Sequence, residues 1–184
     1  MIVKRICLAL GVLCSACLLM GSSTCNPEET WEMMLDPEAA EKMMAEPEYV
    51  VTVHQIVKYP RAEMLEKAIP SYFGDSVIVN QNYYISSKEI EKIELLERKT
   101  DPGFYDLKLT FTSRGQKMWI GLSVNNRRNQ LAFVIDGMHY RNFEPRLILD
   151  DEDLTVIVDG PFDVATANAL QKNSESNFKK LNKR

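Results

Sequence analysis

Alternating hydrophobic and polar positions predict strands in several parts of this chain. The alternation YVVTVHQIVKY spans residues 49–59, and YDLKLTFT spans residues 105–112. The turn residues TDPG, at 100–103, come just before the second stretch, which predicts a β-hairpin between this strand and the residues ahead of the turn. The apolar run LAFVID, at 131–136, is stopped by Asp-Gly and predicts a buried strand followed by a tight turn. Residues 154–158 predict one more strand, which closes at the next Asp-Gly pair.

Apolar residues at helical spacing, with capping residues ahead of them, predict helices between these strands. PRAEMLEKAI, at residues 60–69, has a proline in its first turn and ends at Pro70. We expect Ser113 to cap a helix that ends before Asn125, and Asp163 to cap a last helix, VATANALQKN. Strands and helices mixed in this order predict an α+β fold, in which a mixed or antiparallel sheet carries helices packed on one face.

The first 25 residues have the organisation of an export signal. Lys4 and Arg5 give a positive start, Ile6 to Met20 are almost all apolar, and GSST forms a small polar exit. The apolar run is shorter than the roughly 20 residues that a membrane-spanning helix needs. We therefore expect an exported protein of the cell envelope, facing the periplasm or the cell surface, rather than an integral membrane protein.

The cysteines predict a lipid anchor on the membrane. Three of the four lie inside the signal and Cys25 is the last, so no disulfide is possible downstream of it. A lone thiol is reactive in an oxidising compartment, which favours lipidation of Cys25 at a new N-terminus. Ser22 and Thr24 match the bacterial lipoprotein pattern poorly, and the other acceptor, Cys17, is followed by apolar residues. Plain signal-peptidase cleavage near Ser23 or Cys25 is the alternative.

Charge divides the rest of the chain into three parts. Residues 26–48 hold eight acidic side chains and one lysine, which predicts an acidic leader or tether with a short helix that starts at Asp36. We expect residues 49–172 to form one α+β domain and residues 173–184 to form a basic tail. The net charge of −4 gives no indication of a nucleic-acid partner.

Three motifs, taken in order, resemble the head subdomain of the first periplasmic domain of SecD and SecDF, the export-accessory proteins. They are LKLTFTSRGQKMW, LAFVIDG and a G-x-F-x-x-x-x-A pattern, and the resemblance covers residues 85–171. It implies a SecD-head-like fold in which six residues are scaffold: Gly115, Asp136, Gly137, Gly160, Phe162 and Ala167. We expect Gly137 to supply the positive φ of a tight turn, Gly160 to do the same ahead of the last helix, and Phe162 to fill the core.

The resemblance implies a binding domain rather than an enzyme. The family counterpart is thought to contact unfolded or translocating chains, so we expect a domain that binds protein or peptide and serves protein export or envelope maintenance. The family's membrane helices have no counterpart in these motifs, so no export-motor activity is carried over. A purely structural envelope protein is a further alternative, and the motifs do not indicate an oligomeric state.

An esterase is the alternative from a different functional class. Phe73-Gly74-Asp75-Ser76 resembles the nucleophile block of the GDSL esterases, and Asp136 and His139 fit their D-x-x-H pattern. In that hypothesis Ser76 attacks an acyl carbon, His139 takes its proton and Asp136 orients the imidazole. Such a serine should end a strand of a parallel sheet, whereas Ser76 follows a predicted helix, so we favour an ordinary loop and turn.

Metal and cofactor sites are not expected. His54 has no second ligand nearby in the sequence, and we interpret it as an exposed or hydrogen-bonded structural histidine. The acidic run at 150–153 lacks the alternating spacing of a calcium loop and is predicted to be a solvated turn. Methionine pairs in the acidic leader, without nearby Cys or His, favour an adaptable surface over a copper site.

The predicted binding surface is the hairpin from Met138 to Arg146. Met138, Tyr140 and Phe143 are large apolar residues in a segment polar enough to be exposed, and Arg141 lies among them. Aromatic and arginine residues grouped in this way are typical of binding anchors. The alternative is that Tyr140 and Phe143 fold back and cover the edge of the sheet.

Overall fold

Nine strands and two helices make up the part of the chain that the computed structural model describes, which is residues 45–60, 65–127, 129–147 and 154–183. The predicted export signal, Cys25 and most of the acidic leader lie outside the described residues, as does the acidic run at 150–153. In chain order the elements are β1 (Val51–Gln55), β2 (Glu66–Pro70), β3 (Ser76–Asn80), β4 (Ile85–Ser86), β5 (Ile90–Glu97), β6 (Phe104–Phe111), α1 (Ser113–Asn125), β7 (Leu131–Ile135), β8 (Met138–Phe143), β9 (Thr155–Asp163) and α2 (Val164–Asn182).

The strands pair antiparallel in three sheets. One sheet has the order β4-β1-β7-β8, the hairpin β2-β3 forms a second, and the third has the order β5-β6-β9. An isolated parallel bridge joins Ser71, just after β2, to His139 of β8. The predicted α+β fold is confirmed, although the strands divide among three sheets instead of forming one. Residues Glu46–Lys183 form one compact unit, which is longer at both ends than the predicted domain.

Strand β7 is buried on both faces, which explains its unbroken apolar sequence. Its odd-numbered side chains face the main core, to which β5, β6, β9 and both helices contribute. Ala132 and Val134 point the other way, into a smaller cluster with Ile69 of β2 and Val79 of β3. The β2–β3 hairpin therefore covers the face of the four-stranded sheet that the main core leaves open.

The hairpin predicted around residues 100–103 is confirmed. Strand β5 pairs antiparallel with β6, with Ile93 opposite Leu109 and Leu95 opposite Leu107. The stretch before the turn could have continued as helix or strand from its sequence alone. Pairing with β6 settles it as strand, because a strong turn brings the two segments together.

The helix predicted over residues 60–69 is wrong where the structure describes it. Residues 66–70 form β2, which pairs along its whole length with β3. Ile69 is buried in the smaller core, while the residues on either side of it, Ala68 and Pro70, are exposed, as expected for side chains on opposite faces of a strand. Pairing with another strand has outweighed a helical spacing of apolar residues that was only one turn long.

The helix caps were predicted closely, but α2 is longer than expected. The N-cap of α1 is Thr112 rather than Ser113, and its hydroxyl accepts a hydrogen bond from the Gly115 N–H at 3.0 Å. Asp163 caps α2 as predicted. The prediction of a tail from residue 173 is wrong, because α2 runs to Asn182.

Buried polar side chains attach the second half of α2 to β5 and to the segment that precedes β1. The Ser174 hydroxyl accepts from the Ile93 N–H at 3.3 Å, and the Asn177 amide donates to the Glu48 carbonyl at 2.6 Å. Both residues are almost completely buried. Serine and asparagine give no hydrophobic pattern, which is why the sequence did not indicate that the helix continues.

Two glycines of the predicted scaffold act in different ways. Gly137 has a φ of 79° and Asp136 a φ of 48°, so the tight turn after β7 is confirmed. Gly160 has no positive φ, and the expectation that it ends the strand is wrong, since β9 continues to Asp163. A Cβ at Gly160 would overlap the carbonyl oxygen of Tyr105 in β6. The position therefore requires glycine because two strands approach closely.

The remaining scaffold residues also lie where close packing is needed. A Cβ at Gly115 would come within 2.8 Å of the Glu89 carbonyl oxygen, so α1 can approach this turn only through a glycine. Phe162 and Ala167 are fully buried in the main core. Within the described ranges no helix has both the length and the apolar character needed to cross a membrane.

Candidate functional site

The three residues of the esterase hypothesis do not form a catalytic triad. Both oxygens of the Asp136 carboxylate accept backbone N–H groups, from Tyr49 at 2.9 Å and from Val50 at 2.7 Å. These two bonds fix the Asp136-Gly137 turn to the residues that come just before β1. Ser76 is the exposed first residue of β3 and has no hydrogen bond to His139 in the described structure. The relay from serine through histidine to aspartate that the esterase hypothesis requires is therefore not formed.

His139 has other partners, which hold the hairpin against the sheet. Its Nδ1 lies 3.2 Å from the Ser71 hydroxyl, and its Nε2 lies 2.8 Å from Asn142 Oδ1. The backbone N–H of Tyr72 also donates to the His139 carbonyl at 2.9 Å. Ser71 follows β2 directly, so these contacts attach the end of that strand to the edge strand β8.

His54 is buried between the four-stranded sheet and the hairpin. Its Nδ1 donates to the Asn80 carbonyl at 2.9 Å, and its Nε2 lies 3.1 Å from the Thr52 hydroxyl. Burial lowers the pKa of His54, and Lys67 adds to the effect, although the bond to Asn80 opposes it. The interpretation of this residue as a hydrogen-bonded structural histidine agrees with this geometry.

The expected exposure of the aromatic side chains in β8 is wrong. Tyr140 is 4% exposed and Phe143 5% exposed, so both belong to the main core. Met138 is 38% exposed and does lie at the surface. A β-bulge opposite Phe133 places one extra residue in β8 and changes which side chains point inward. Hydrophobic pattern alone could not indicate this irregularity.

Tyr140 belongs to a chain of aromatic contacts that runs through the core. Its ring stacks on Phe162 with an interplanar angle of 2° and a centroid distance of 5.3 Å. Edge or stacked contacts continue from Phe162 to the interior, through Phe133, Phe143, Trp119 and Phe111. The Tyr140 hydroxyl donates to Asp163, the N-cap of α2, at 2.5 Å. The ring is thus fixed on both its apolar and its polar sides.

Electrostatics support the same arrangement around Tyr140. Burial and the hydrogen bond to Asp163 raise the pKa of the Tyr140 hydroxyl. Burial opposes the charged form of Asp163, but bonds from the Thr166 N–H and the Tyr140 hydroxyl outweigh it and lower the pKa of the carboxyl. Arg141 lies 5.4 Å from the centre of the Phe162 ring and donates to the Pro161 carbonyl at 2.9 Å.

Two exposed aromatic rings contact Tyr140 and extend this series of ring contacts to the surface. Tyr72 and Phe73, at the tip of the β2–β3 hairpin, are 61% and 78% exposed. Their ring centroids lie 5.8 and 6.0 Å from that of Tyr140. We call Tyr72 and Phe73 the aromatic tip. The aromatic tip was not predicted, because its sequence resembles a serine block, although an aromatic pair beside the turn residue Gly74 is a usable signal.

A cleft lies at the other end of the hairpin, where β2 begins and β3 ends. Its volume is about 440 Å³. Among the described residues, five carboxamide side chains line it, together with two charged residues of opposite sign and several apolar groups. The lining residues are Gln55, Ile56, Val57, Lys58, Tyr59, Leu65, Glu66, Asn80, Asn129, Gln130 and Asn142. We call it the carboxamide cleft.

Metal-ligating side chains do not gather anywhere in the described ranges. No group of three or more His, Cys, Asp or Glu residues there could hold a metal ion.

Comparison with known proteins gives similarity at the level of structure. No family model and no curated protein matches the chain. The chain is similar to a solved structure of SecDF, a membrane component that enhances protein export, with a TM-score of 0.51 and 17% identity over 77% of this chain and 68% of that chain. A crystal structure of SecDF in the Super-membrane-facing form gives the same TM-score and identity, and there the match spans 20% of that chain. The predicted resemblance to SecD and SecDF is confirmed as a shared fold, and it extends beyond residues 85–171.

Proposed function

We propose that this protein binds extended or unfolded polypeptide through its aromatic tip, in support of protein export. The observation that carries the proposal is the exposure of Tyr72 and Phe73 against the buried ring of Tyr140. Large apolar side chains that are exposed together, on a surface otherwise polar, are characteristic of binding sites. Polypeptides that have not folded expose the apolar side chains that such a surface recognises.

The base beneath the tip favours binding. The rings rest on Tyr140, which is held by Phe162 on one side and by Asp163 on the other. Aromatic side chains on a fixed support lose little conformational entropy when a partner covers them. Energetic hot spots in interfaces are enriched in such aromatic residues.

The connection with export rests on the shared fold. SecDF is a membrane component that enhances protein export, and this chain has the fold of part of it. Because one fold serves many functions, the fold supports the proposal but does not carry it. The aromatic tip supplies the observation that belongs to this chain.

Binding to an unfolded polypeptide tests the proposal directly. A reduced and alkylated polypeptide with a fluorescent label is titrated with the wild-type protein and with a Tyr72→Ser plus Phe73→Ser variant, and anisotropy is measured. We expect the variant to bind at least about tenfold more weakly, the loss of about 1.4 kcal/mol of contact. Tyr83→Ser is the matched control, because Tyr83 is an exposed aromatic residue that is 49% exposed but does not contact Tyr140. Equal binding by the wild type and the double variant contradicts the proposal.

We further propose that lipidation of Cys25 holds the domain on a membrane, with residues 26–48 as a tether. This rests on the signal-like first 25 residues and on Cys25 being the last cysteine. Mass spectrometry of the protein from membranes should find an acylated N-terminal cysteine. An unmodified N-terminus at Thr24 or Asn26 contradicts the anchor and leaves the proposal about the aromatic tip unaffected.

Ser76 is proposed to have no role as a nucleophile. Its expected base, His139, bonds to Ser71 and Asn142 instead, and Asp136 bonds to backbone amides. A fluorophosphonate probe should therefore not label the protein. Specific labelling that Ser76→Ala abolishes overturns the binding-domain proposal in favour of the esterase.

A further inference from the structure

The carboxamide cleft is a second candidate binding site, with chemistry unlike that of the aromatic tip. We propose that it binds a neutral oligosaccharide. The proposal goes beyond the binding of polypeptide by the aromatic tip, because it concerns other residues and another class of ligand. It rests on the orientation of the amide groups, on the balance of charge in the cleft and on two exposed apolar side chains at its edge.

Bonds within the protein fix the amides of Gln55 and Asn80. The Tyr84 hydroxyl donates to Gln55 Oε1 at 3.1 Å, and the Asn82 N–H donates to Asn80 Oδ1 at 3.1 Å. Each amide oxygen is therefore used internally. The NH₂ groups have no partner among the described residues and remain as donors for a ligand.

A second set of bonds fixes the amides of Asn142, in β8, and Gln130, just before β7. His139 Nε2 lies 2.8 Å from Asn142 Oδ1, and the Asn142 NH₂ donates to Gln130 Oε1 at 3.4 Å. The NH₂ of Gln130 is again left without a described partner. Three residues of one cleft thus keep an NH₂ group while their amide oxygen is held by the protein, and donors held in place beforehand cost less entropy when a ligand binds.

The charge of the cleft favours a neutral ligand rich in hydroxyl groups. Among the lining residues that the structure describes, Lys58 and Glu66 are charged, and their formal charges are opposite. Sugar hydroxyls both accept and donate hydrogen bonds, as carboxamides do, so one amide can serve two neighbouring hydroxyls. An anionic ligand would instead be expected to select several arginine or lysine side chains.

Exposed apolar groups complete the site. The Tyr59 ring is 78% exposed and Leu65 is 58% exposed, and both line the cleft. A sugar ring has an apolar C–H face as well as its polar edge, and a flat, amphipathic tyrosine ring can cover that face. The volume of about 440 Å³ is within the usual range of small-molecule sites.

An extended peptide is the competing ligand class for this cleft. Peptides are commonly recognised through the open backbone of an edge strand together with pockets for alternate side chains. The carboxamide cleft is lined instead by side-chain amides from the ends of several strands. These amides can satisfy hydroxyl groups on several sides of a compact ring, which favours the oligosaccharide.

The test uses a defined panel of neutral and N-acetylated tetrasaccharides. Each is titrated into the protein and followed by saturation-transfer NMR, and the strongest binder is measured by calorimetry. We expect Tyr59→Ala and Gln130→Leu each to weaken that binder about tenfold or more. Gln81→Leu is the matched control, because Gln81 is an exposed carboxamide next to Asn80 that does not line the cleft, and it should bind like the wild type.

Separate outcomes distinguish this proposal from that on the aromatic tip. Tyr72→Ser plus Phe73→Ser should leave tetrasaccharide binding unchanged. The proposal is overturned if no tetrasaccharide of the panel binds, or if Tyr59→Ala and Gln130→Leu bind like the wild type. It is also overturned in favour of a peptide site if those two variants lose the unfolded polypeptide while no sugar binds.

Discussion

The two ends of the β2–β3 hairpin present different chemistry on one short element. Its tip exposes Tyr72 and Phe73 above a chain of core aromatic rings. Its open end contributes Leu65, Glu66 and Asn80 to a cleft whose described lining includes five carboxamides. Apolar exposure at the tip suits contact with apolar side chains, whereas the oriented amides at the open end suit a ligand that forms hydrogen bonds.

Both proposed sites belong to a small second layer of the fold, whose main core lies elsewhere. The hairpin buries only Ile69 and Val79 fully against the sheet, in the smaller cluster. Bonds from His139 and His54 hold its two ends, the first to Ser71 and the second to Asn80. Each end can therefore be altered with little effect on the main core.

Removing the base of the tip should have the largest effect. A Tyr140→Ser plus Phe143→Ser variant deletes two buried rings, each of which should cost about 3–5 kcal/mol in the free energy of unfolding. Urea denaturation measures the loss. Met138→Ser is the control, since Met138 is 38% exposed and should change stability by less than about 1 kcal/mol. A double variant as stable as the wild type would show that these rings are not core.

The next largest effect on stability should come from a substitution that forces β9 away from β6. Gly160→Ala places a methyl group against the Tyr105 carbonyl oxygen, which belongs to backbone and cannot rotate away. We expect a loss of about 3 kcal/mol in the free energy of unfolding. Gly137→Ala is the comparison: nothing lies within 4 Å of its Cβ, and only the positive φ opposes alanine, at about 1 kcal/mol. Equal losses would contradict the close approach at Gly160.

Acidification should lower the stability of the protein through His54, which bonds to the open end of the β2–β3 hairpin. Burial lowers the pKa of His54 below its ordinary value of 6.5, so the unfolded chain takes up a proton at a higher pH than the folded protein does. The contribution of neutral His54 to the free energy of unfolding is therefore fully present above pH 6.5, and it is lost as the pH falls below that value. Urea denaturation at pH 7.5 and 5.5 should therefore show a smaller acid-induced loss in His54→Gln than in the wild type. The same loss in both proteins would assign the acid sensitivity to other groups.

Changing the exposed tip should affect stability least. Tyr72→Ser plus Phe73→Ser removes rings that are mostly exposed, and the backbone bond from the Tyr72 N–H to His139 remains. We expect a change of about 0.5 kcal/mol in the free energy of unfolding. A loss above about 2 kcal/mol would show that the tip is structural, and any loss of polypeptide binding would then have to be ascribed to unfolding.

Much of the fold could be predicted from local patterns. Alternation identified β1 and β6, the unbroken run identified β7, and the TDPG turn correctly joined β5 to β6. Asp163 was recognised as the cap of α2 because a carboxylate ahead of a helix has a local effect on the first N–H groups. These features depend on neighbours within a few residues.

The candidate sites could be predicted only in small part. Tyr140 and Phe143 were expected outside and lie inside, since the bulge in β8 and the rings of β9 and α1 decide their burial. The five carboxamides of the cleft come from separate parts of the chain between Gln55 and Asn142. No local pattern indicates that they meet.

The sequence by itself determined the class of the fold, the main strands, the Asp136-Gly137 turn and the resemblance to SecD, because alternation, turn residues and caps are short-range effects. Tertiary structure alone decided that residues 66–70 form a strand, that Gly160 is needed for a close approach, and that α2 continues to Asn182. It also decided which aromatic rings are exposed and which amides face one cleft. These outcomes depend on pairing and packing between residues far apart in the chain, and such contacts outweigh the small free-energy differences of local propensity.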